Sequence, residues 1–559
     1  MVKNILKLFH REFGGLHKAA FLLALSAAGS SILGLFRDRL LAGTFGAGKS
    51  LDIYYASFRL PDLLYNVVAL SIVSITVLIP FFLERLSKSK EKALSFFNQI
   101  FTFFLFAMIV LGAVFFFLAP LLKNFIAPGF SPADQNHLVL LTRIMLLSPI
   151  LLGISNLLSC VIQSFRRFFI YALSPLFYNL GIILGILFLY PLWGLKGIVI
   201  GVVLGAFLHA FIQVPGLIRL GFLPKFDFKI SFSEIRKVVQ FSLPRSLGLG
   251  LYQITLIFIT ALASFLAVGS IAVFNLAMNL QSVLLTVIGV SYSVAAFPIL
   301  ARLFVNNQKE KFLSQTFSAA RQIIFWSLPA SILLIILRAQ IVRVILGTGA
   351  FGWTDTRLVA AALALFSISI TSQALNILFI RAFYAAGRTI RPLLVNIFSF
   401  LFIVGSSFLF VKILEKNALI KDMFGKILRV DDVPGIAMLA LPLAFSLGTI
   451  LNTILLAKFF KKDLGWQKAI SRVFNHVFTA SILMAAVSYF SLRVLDNIFD
   501  IHTFAGIFMQ GFVSGILGIA VGYAFLWFIK NPELREFVQA LRQKFWWKTP
   551  TIASEPEKL

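Results

Sequence analysis

The sequence predicts an all-α polytopic membrane protein of about 14 transmembrane helices. They form two parallel six-helix repeats around a central cavity, plus two C-terminal helices. Three observations predict this architecture. Of 559 residues, 59% are hydrophobic and only 13% charged, with a mean hydropathy of +0.93, far from the roughly half-apolar, quarter-charged make-up of a soluble domain. Apolar runs of about 20 residues, the length a helix needs to cross the hydrocarbon core, recur from residue 19 to residue 529. The chain also resembles itself at a spacing of about 218 residues.

Taken in order, the chain opens with a basic segment, residues 1–18, expected on the cytoplasmic side. Its Leu6, Phe9 and Phe13 at helical spacing suit a membrane interface. The long apolar run after it lacks a small-residue cleavage pattern, so it does not read as a removed signal peptide. The first half, 19–218, holds spans at 19–45, 63–83, 97–119, 138–163, 170–190 and 197–218. A cytoplasmic linker, 219–239, leads to the second half, 240–457, with spans at 240–266, 273–300, 317–337, 358–380, 392–411 and 435–457. Spans at 473–492 and 503–529 fill the segment 458–529, and a basic tail, 530–559, follows.

The repeat rests on two matches. IPFFLERLSKSKEKALSFFNQ (79–99) resembles FPILARLFVNNQKEKFLSQTF (297–317), with Pro80 on Pro298 and Lys90-Glu91-Lys92 on Lys309-Glu310-Lys311 after a one-residue shift. SPLFYNLGIILG (174–185) resembles RPLLVNIFSFLF (391–402), with Pro175 on Pro392 and Asn179 on Asn396. Six spans is an even number, so both copies enter the membrane from the same side. Parallel halves related by an axis along the membrane normal follow, with a site between them near the midplane. The charged insertion at 412–432 in the second copy reads as a surface elaboration.

A net charge of +28 raises the question of nucleic acid, but position decides it. About two thirds of the 50 Lys and Arg fall in the tails and the even-numbered loops. That asymmetry orients the chain with both termini in the cytoplasm and makes nucleic acid an unexpected partner. Cys160 is the single cysteine, so neither an intramolecular disulfide nor a thiolate metal cluster is expected. The chain carries no H-E-x-x-H, P-loop or nucleophile elbow. The reading is therefore a non-enzyme with no cofactor and no metal site, driven by an ion gradient or the membrane potential, the coupling ion being left open.

The candidate site begins at ILGLFRDRLLAGTFG (32–46), which sets Arg37, Asp38 and Arg39 in an apolar run among Gly34, Gly43 and Gly46. An ionisable group at the centre of a membrane helix costs about 2.5–3.5 kcal/mol on insertion scales, so such groups face a cavity or one another. Arg37 and Arg39 lie about 200° apart on a regular helix; both face one cavity only if the helix breaks, which the glycines allow. A structural pairing of Asp38 with a neighbouring arginine is the competing explanation. Asp52, Arg59 and Asp62 lie around the next turn, where a gate-closing or solvated ion pair competes with a binding role. Arg143 and Arg245 begin spans 4 and 7 and either face the cavity or snorkel to the interface. Asn66, Asn156, Asn279, Gln281, Gln373 and Asn376 are foremost interhelical hydrogen-bond partners. Gly511, Gly515, Gly518 and Gly522 call for close helix packing or a smooth groove for a lipid tail.

LGLFRDRLLAGTFGAGKSLDIYYASFRLPDLL (33–64) resembles the first-span signature of the MurJ (MviN) family of lipid II flippases, within the wider multidrug and polysaccharide exporter superfamily. Pro80 and Pro298 match proline motifs of the same family. The resemblance implies transport of the undecaprenyl-diphosphate-linked peptidoglycan precursor (lipid II) from the inner to the outer leaflet by alternating access, in the bacterial cytoplasmic membrane. It implies that precursor and membrane lipids as partners and points to the cell-wall synthesis machinery as another. Carried over by position, Arg37 and Arg59, with Asn279 in the place of a family arginine, are candidate headgroup and diphosphate ligands, and Asp38 and Asp52 the candidate gating or ion-coupling residues; Arg39 and Arg245 join the candidate ligands from their place in the spans alone. The sequence departs from the family pattern at Ser31, Tyr65, Asn66, Leu70 and Asn279, where charged residues are usual, which places more of the anion binding on Arg37. Two other readings stay open: a transporter of another polyprenyl-linked glycan or a cation-coupled exporter, and a transport-inactive membrane scaffold.

Overall fold

The computed structural model describes residues 16–467, 469–500 and 503–545. The predicted interfacial residues Leu6, Phe9 and Phe13 lie outside them. The described chain is built of long helices: α1 (Leu16–Phe45), α2 (Lys49–Leu86), α3 (Lys90–Ile126), α4 (Pro132–Ser164), α5 (Phe168–Trp193) and α6 (Leu195–Leu220). The second half continues with α7 (Phe232–Ala263), α8 (Ser270–Val305), α9 (Lys309–Ile336), α10 (Trp353–Ser367 and Ile370–Ala385, bent by 45°), α11 (Ile390–Lys416) and α12 (Ile436–Asp463). Finally come α13 (Ala469–Leu495) and α14 (Phe504–Phe528).

By length and apolar character 12 of these cross a membrane, or 13 with the bent α10 taken as one span. The 30-residue α1, which carries the Arg-Asp-Arg triplet, stands outside that number. Large apolar side chains line the outside of the bundle; on α3 Phe106, Ile109, Val110, Phe117 and Leu121 are all exposed, as lipid contact requires. The repeat is visible in the helices themselves: Lys90 and Lys309 each open a long helix. The helices α2 and α8 both widen into π-type turns, at Leu64–Ala69 and Leu285–Val290.

The bundle has two faces. One, here the turn face, carries the α1–α2, α3–α4, α7–α8 and α11–α12 connections; the other, the linker face, carries the long α6–α7 connection. The core that α8 to α12 share with the first half lies at the turn face. There Leu41, Leu51 and Ile126 of the first half pack in one cluster with Ile271, Phe274 and Phe351 of the second. Toward the linker face each half has its own core, around Phe82, Phe97 and Phe104 in one and Phe317, Phe379 and Phe460 in the other.

The linker is tied to the first half. The backbone amides of Lys225 and Asp227 donate to Asn98 and Thr102 of α3, each at 2.9 Å. It delivers α7, whose Ile235 and Val238 join the first half's core, so α7 leans on α2 and α3 as well as on α11. The helices α8 to α12 pack against the first half at the turn face and not at the linker face. The insertion folds as a short surface helix, Ala418–Leu428, anchored by an Arg357–Asp432 ion pair.

Glycines decide the α13–α14 contact. A Cβ on Gly518 would meet the Ser488 Oγ at 2.1 Å and one on Gly522 the Met484 Cγ at 2.2 Å. Gly511 and Gly515 instead face Gln340 and Leu337, so close packing holds along the whole stripe and the smooth groove does not.

Candidate functional site

The charged triplet does not break its helix. The helix α1 runs unbroken through Gly34 and Gly43, so Arg37 and Arg39 keep their opposed directions and meet different partners. Arg37 donates from Nε and Nη2 to the Asp38 Oδ1, at 3.0 and 2.8 Å, and from Nη1 to the Asn179 Oδ1 on α5 at 3.1 Å. A guanidinium has five N–H donors; those three bonds leave two for a ligand, and its side chain keeps 20% of its surface exposed. The other oxygen of Asp38, Oδ2, accepts from the Asn279 Nδ2 on α8 at 3.0 Å. Asp38 is thus a bridge: it orients Arg37 with one oxygen and holds the second half with the other.

Arg39, expected at the cavity, lies elsewhere. Its Nη1 donates to the carbonyls of Val344 and Ile345 at 2.6 and 3.1 Å, closing the end of the short helix Arg338–Leu346, where carbonyls lack intrahelical partners. The guanidinium also lies 5.8 Å from the ring centre of Phe504. It joins α1 to the second half and to α14.

Two further charges latch the halves together. Asp52 is buried and accepts from the backbone amides of Gly269 and Ala272 at 2.6 and 2.7 Å. These amides open α8, so the carboxylate satisfies donors that a helix N-terminus leaves free and sits at the positive end of its dipole. Gly269 has φ +92°, and a Cβ there would meet the Ala47 carbonyl oxygen at 1.9 Å; only glycine lets the α1–α2 turn seat. Arg59, 3% exposed, donates to the Thr260 Oγ1 at 2.7 Å and the Asn275 Oδ1 at 2.9 Å. This places Arg59 and Asn279, both expected at the headgroup, inside the contact between halves. The side chain of Arg245 lies outside the described residues.

Backbone pairs complete the seal at the turn face. The Ala350 amide donates to the Gly43 carbonyl at 2.8 Å, and the Gly129 amide to the Ser264 Oγ at 2.9 Å. Sequence reasoning missed Thr260, Ser264 and Asn275 as partners, since each is one ordinary polar residue in an apolar helix. The signal for the Asp52 latch was present in Gly269, directly ahead of a helix start.

Between the halves, the space on the linker side of the Asp38–Asn279 bond has no such closure. Here α1 touches α8 sparingly, whereas α7 lies along α2. The lean of α7 leaves a cavity of about 480 Å³ between it and α10, α11 and α12. Its polar lining includes Tyr252, Gln373, Asn376, Asn396 and Asn452, among Phe297, Phe400 and Phe445. Arg381 adds one positive charge to this lining of amides and aromatic rings, which suits a hydrogen-bonding ligand better than a metal cation. Among the described residues no group of three or more His, Cys, Asp or Glu comes together.

Two helical lobes latched at one face, with separate cores toward the other bridged by α7, are the architecture of a membrane transporter. The chain belongs to the MurJ family: the family model described as "Lipid II flippase MurJ" matches residues 41–510. It is 30% identical over 382 residues to the probable lipid II flippase MurJ of Buchnera aphidicola subsp. Acyrthosiphon pisum, covering 66% of this chain and 74% of the relative. It is 26% identical to the probable lipid II flippase MurJ of Rickettsia prowazekii, over 69% and 76% of the two chains. Among solved structures, "Lipid II flippase MurJ, inward closed conformation" superposes with a TM-score of 0.72 at 20% identity, covering 93% of this chain and all of that one. An inward-facing MATE family transporter of the MOP superfamily follows at 0.59 and 15% identity, over 81% and 95%. At those identities the structures report the shared fold.

Proposed function

We propose that the protein moves the undecaprenyl-diphosphate-linked peptidoglycan precursor, lipid II, from the inner to the outer leaflet of the bacterial cytoplasmic membrane by alternating access. The linker face is the cytoplasmic one, because the excess of Lys and Arg lies in the loops and tails on that side. The conformation described is then open to the cytoplasm and latched toward the outside. The headgroup enters the cleft through the loosely packed side between α1 and α8 while the isoprenoid tail remains in lipid.

One observation carries the reading beyond family membership. Arg37 is oriented by Asp38 and Asn179, partly exposed and left with donors to spare, which supports capture of a diphosphate. A bound diphosphate competes with Asp38 for Arg37. Asp38 also holds Asn279, so ligand capture loosens a contact between the halves and favours the outward-open state. The membrane potential or an ion gradient resets the empty carrier; about 2.3 kcal/mol per charge per 100 mV is available from the potential.

The test is complementation of a bacterium depleted of its own lipid II flippase. Wild type restores growth and Arg37→Ala does not, while Arg37→Lys, which keeps the charge and loses the fork, restores it weakly. Absence of rescue by well-expressed wild type overturns the assignment.

A further inference from the structure

The intramembrane carboxylates of the first half are not alike. Asp38 is held by Arg37 and Asn279, and Asp52 by two backbone amides. Asp62 has neither kind of partner: among the described residues no hydrogen bond and no ion pair reaches its carboxylate, and Arg59, one turn away, is committed to Thr260 and Asn275. Asp62 is partly buried, and a carboxylate inside a helical bundle with no direct partner is a ready ligand for a cation.

The surroundings favour occupation. Asp62 lines a cavity of about 30 Å³ inside the first half, among α2, α4, α5 and α6. That volume suits one water-sized ligand. Three other oxygen-bearing side chains line it: Tyr65, Ser148 and Tyr178. The Tyr65 hydroxyl is already turned by a hydrogen bond from the Asn156 Nδ2 at 2.8 Å. The rest of the wall is apolar, Phe58, Pro61, Met145, Pro149, Leu152 and Val202, so these oxygens are the polar groups the cavity offers. Hard cations choose oxygen ligands of this kind. A single carboxylate balances a single positive charge, so the site suits a monovalent ion and would leave a divalent one half neutralised.

We propose that Asp62, with the hydroxyls of Tyr65, Ser148 and Tyr178, forms a binding site for one sodium-sized monovalent cation within the first half. The site deepens the transport reading by naming a coupling ion, and rests on that reading only for its role in the cycle; binding itself stands on the cavity alone. Its place one turn from Arg59 sets a bound charge beside the latch at the turn face.

The experiment is direct: radioactive sodium binding to the purified full chain, with choline chloride holding ionic strength constant. Wild type shows saturable binding; Asp62→Asn, which keeps shape and removes charge, lowers it by one ion per chain. Tyr178→Phe, a milder change, weakens affinity several-fold with unchanged stoichiometry. Monodisperse elution of each variant in choline verifies folding. Unchanged sodium binding in Asp62→Asn overturns the site, as does the absence of saturable binding in wild type, the result expected if a proton neutralises Asp62 instead. None of these readouts depends on lipid II, so failure of the flippase reading is seen separately, in complementation.

Discussion

Arg37 and Asp52 use charge in opposite ways, and substitutions should separate them. Arg37 is half-committed, with donors left for an anion. Losing a charge-assisted contact worth about 1.5–3 kcal/mol should lower the translocation rate of Arg37→Ala roughly 10- to 100-fold, read as lipid II appearing in the outer leaflet of vesicles, and should also lower the melting temperature, because buried Asp38 loses its ion-pair partner. Asp52 is wholly committed, to two amides of α8. Asp52→Ala leaves both donors without a partner and should shift the population toward the open turn face by at least tenfold. Spin labels on the connections 127–131 and 264–269 would register this as a longer distance, and an unchanged distribution would remove Asp52 from the latch. Both residues were legible in the sequence as charges out of place. Which was ligand-facing and which was a latch was not, because a charge in an apolar run signals only that some partner exists.

Among the elements, α7 and α14 show how far local pattern reaches. The glycines of α14 announce a close contact. Filling one by Gly518→Leu drives a branched side chain into Ser488 and Met484, which overpacking puts at about 1–3 kcal/mol. A melting temperature lowered by several degrees, with α13 more open to proteolysis, is the expected outcome; equal stability would show that the two helices separate freely. The position of α7 was not legible in its own residues. The expected linker runs to residue 239, but α7 begins at Phe232. Its first turns belong to the core of the other half because Ile235 and Val238 find apolar partners there. The cavity among α10, α11 and α12 is a result of that lean.

In the proposed transport cycle the turn face of the whole molecule is one of two gates. A shared apolar core and several polar latches join the halves there, while toward the linker face α8 to α12 keep a core apart from that of the first half and α7. Gly129 lies against Ser264 and Phe265. A cleavable cross-linker between Pro128→Cys and Phe265→Cys should therefore lock the carrier and abolish complementation, with activity returning once the link is cut. The native Cys160 is buried and should not interfere. Full activity in the linked protein would show that the turn face need not open, and alternating access would fall with it.

The all-helical class, the duplication, the membrane setting and the Arg-Asp-Arg anomaly follow from the sequence alone, because bilayer thickness and the cost of buried charge act on each segment independently of the others. The partners of each charge were decided only by tertiary structure. Arg37 with Asn179, Arg39 with Val344, Asp52 with Gly269 and Arg59 with Asn275 join residues 142 to 305 positions apart. Those meetings depend on how whole helices cross, and helix crossing is set by the summed packing of apolar surfaces, which no local pattern encodes.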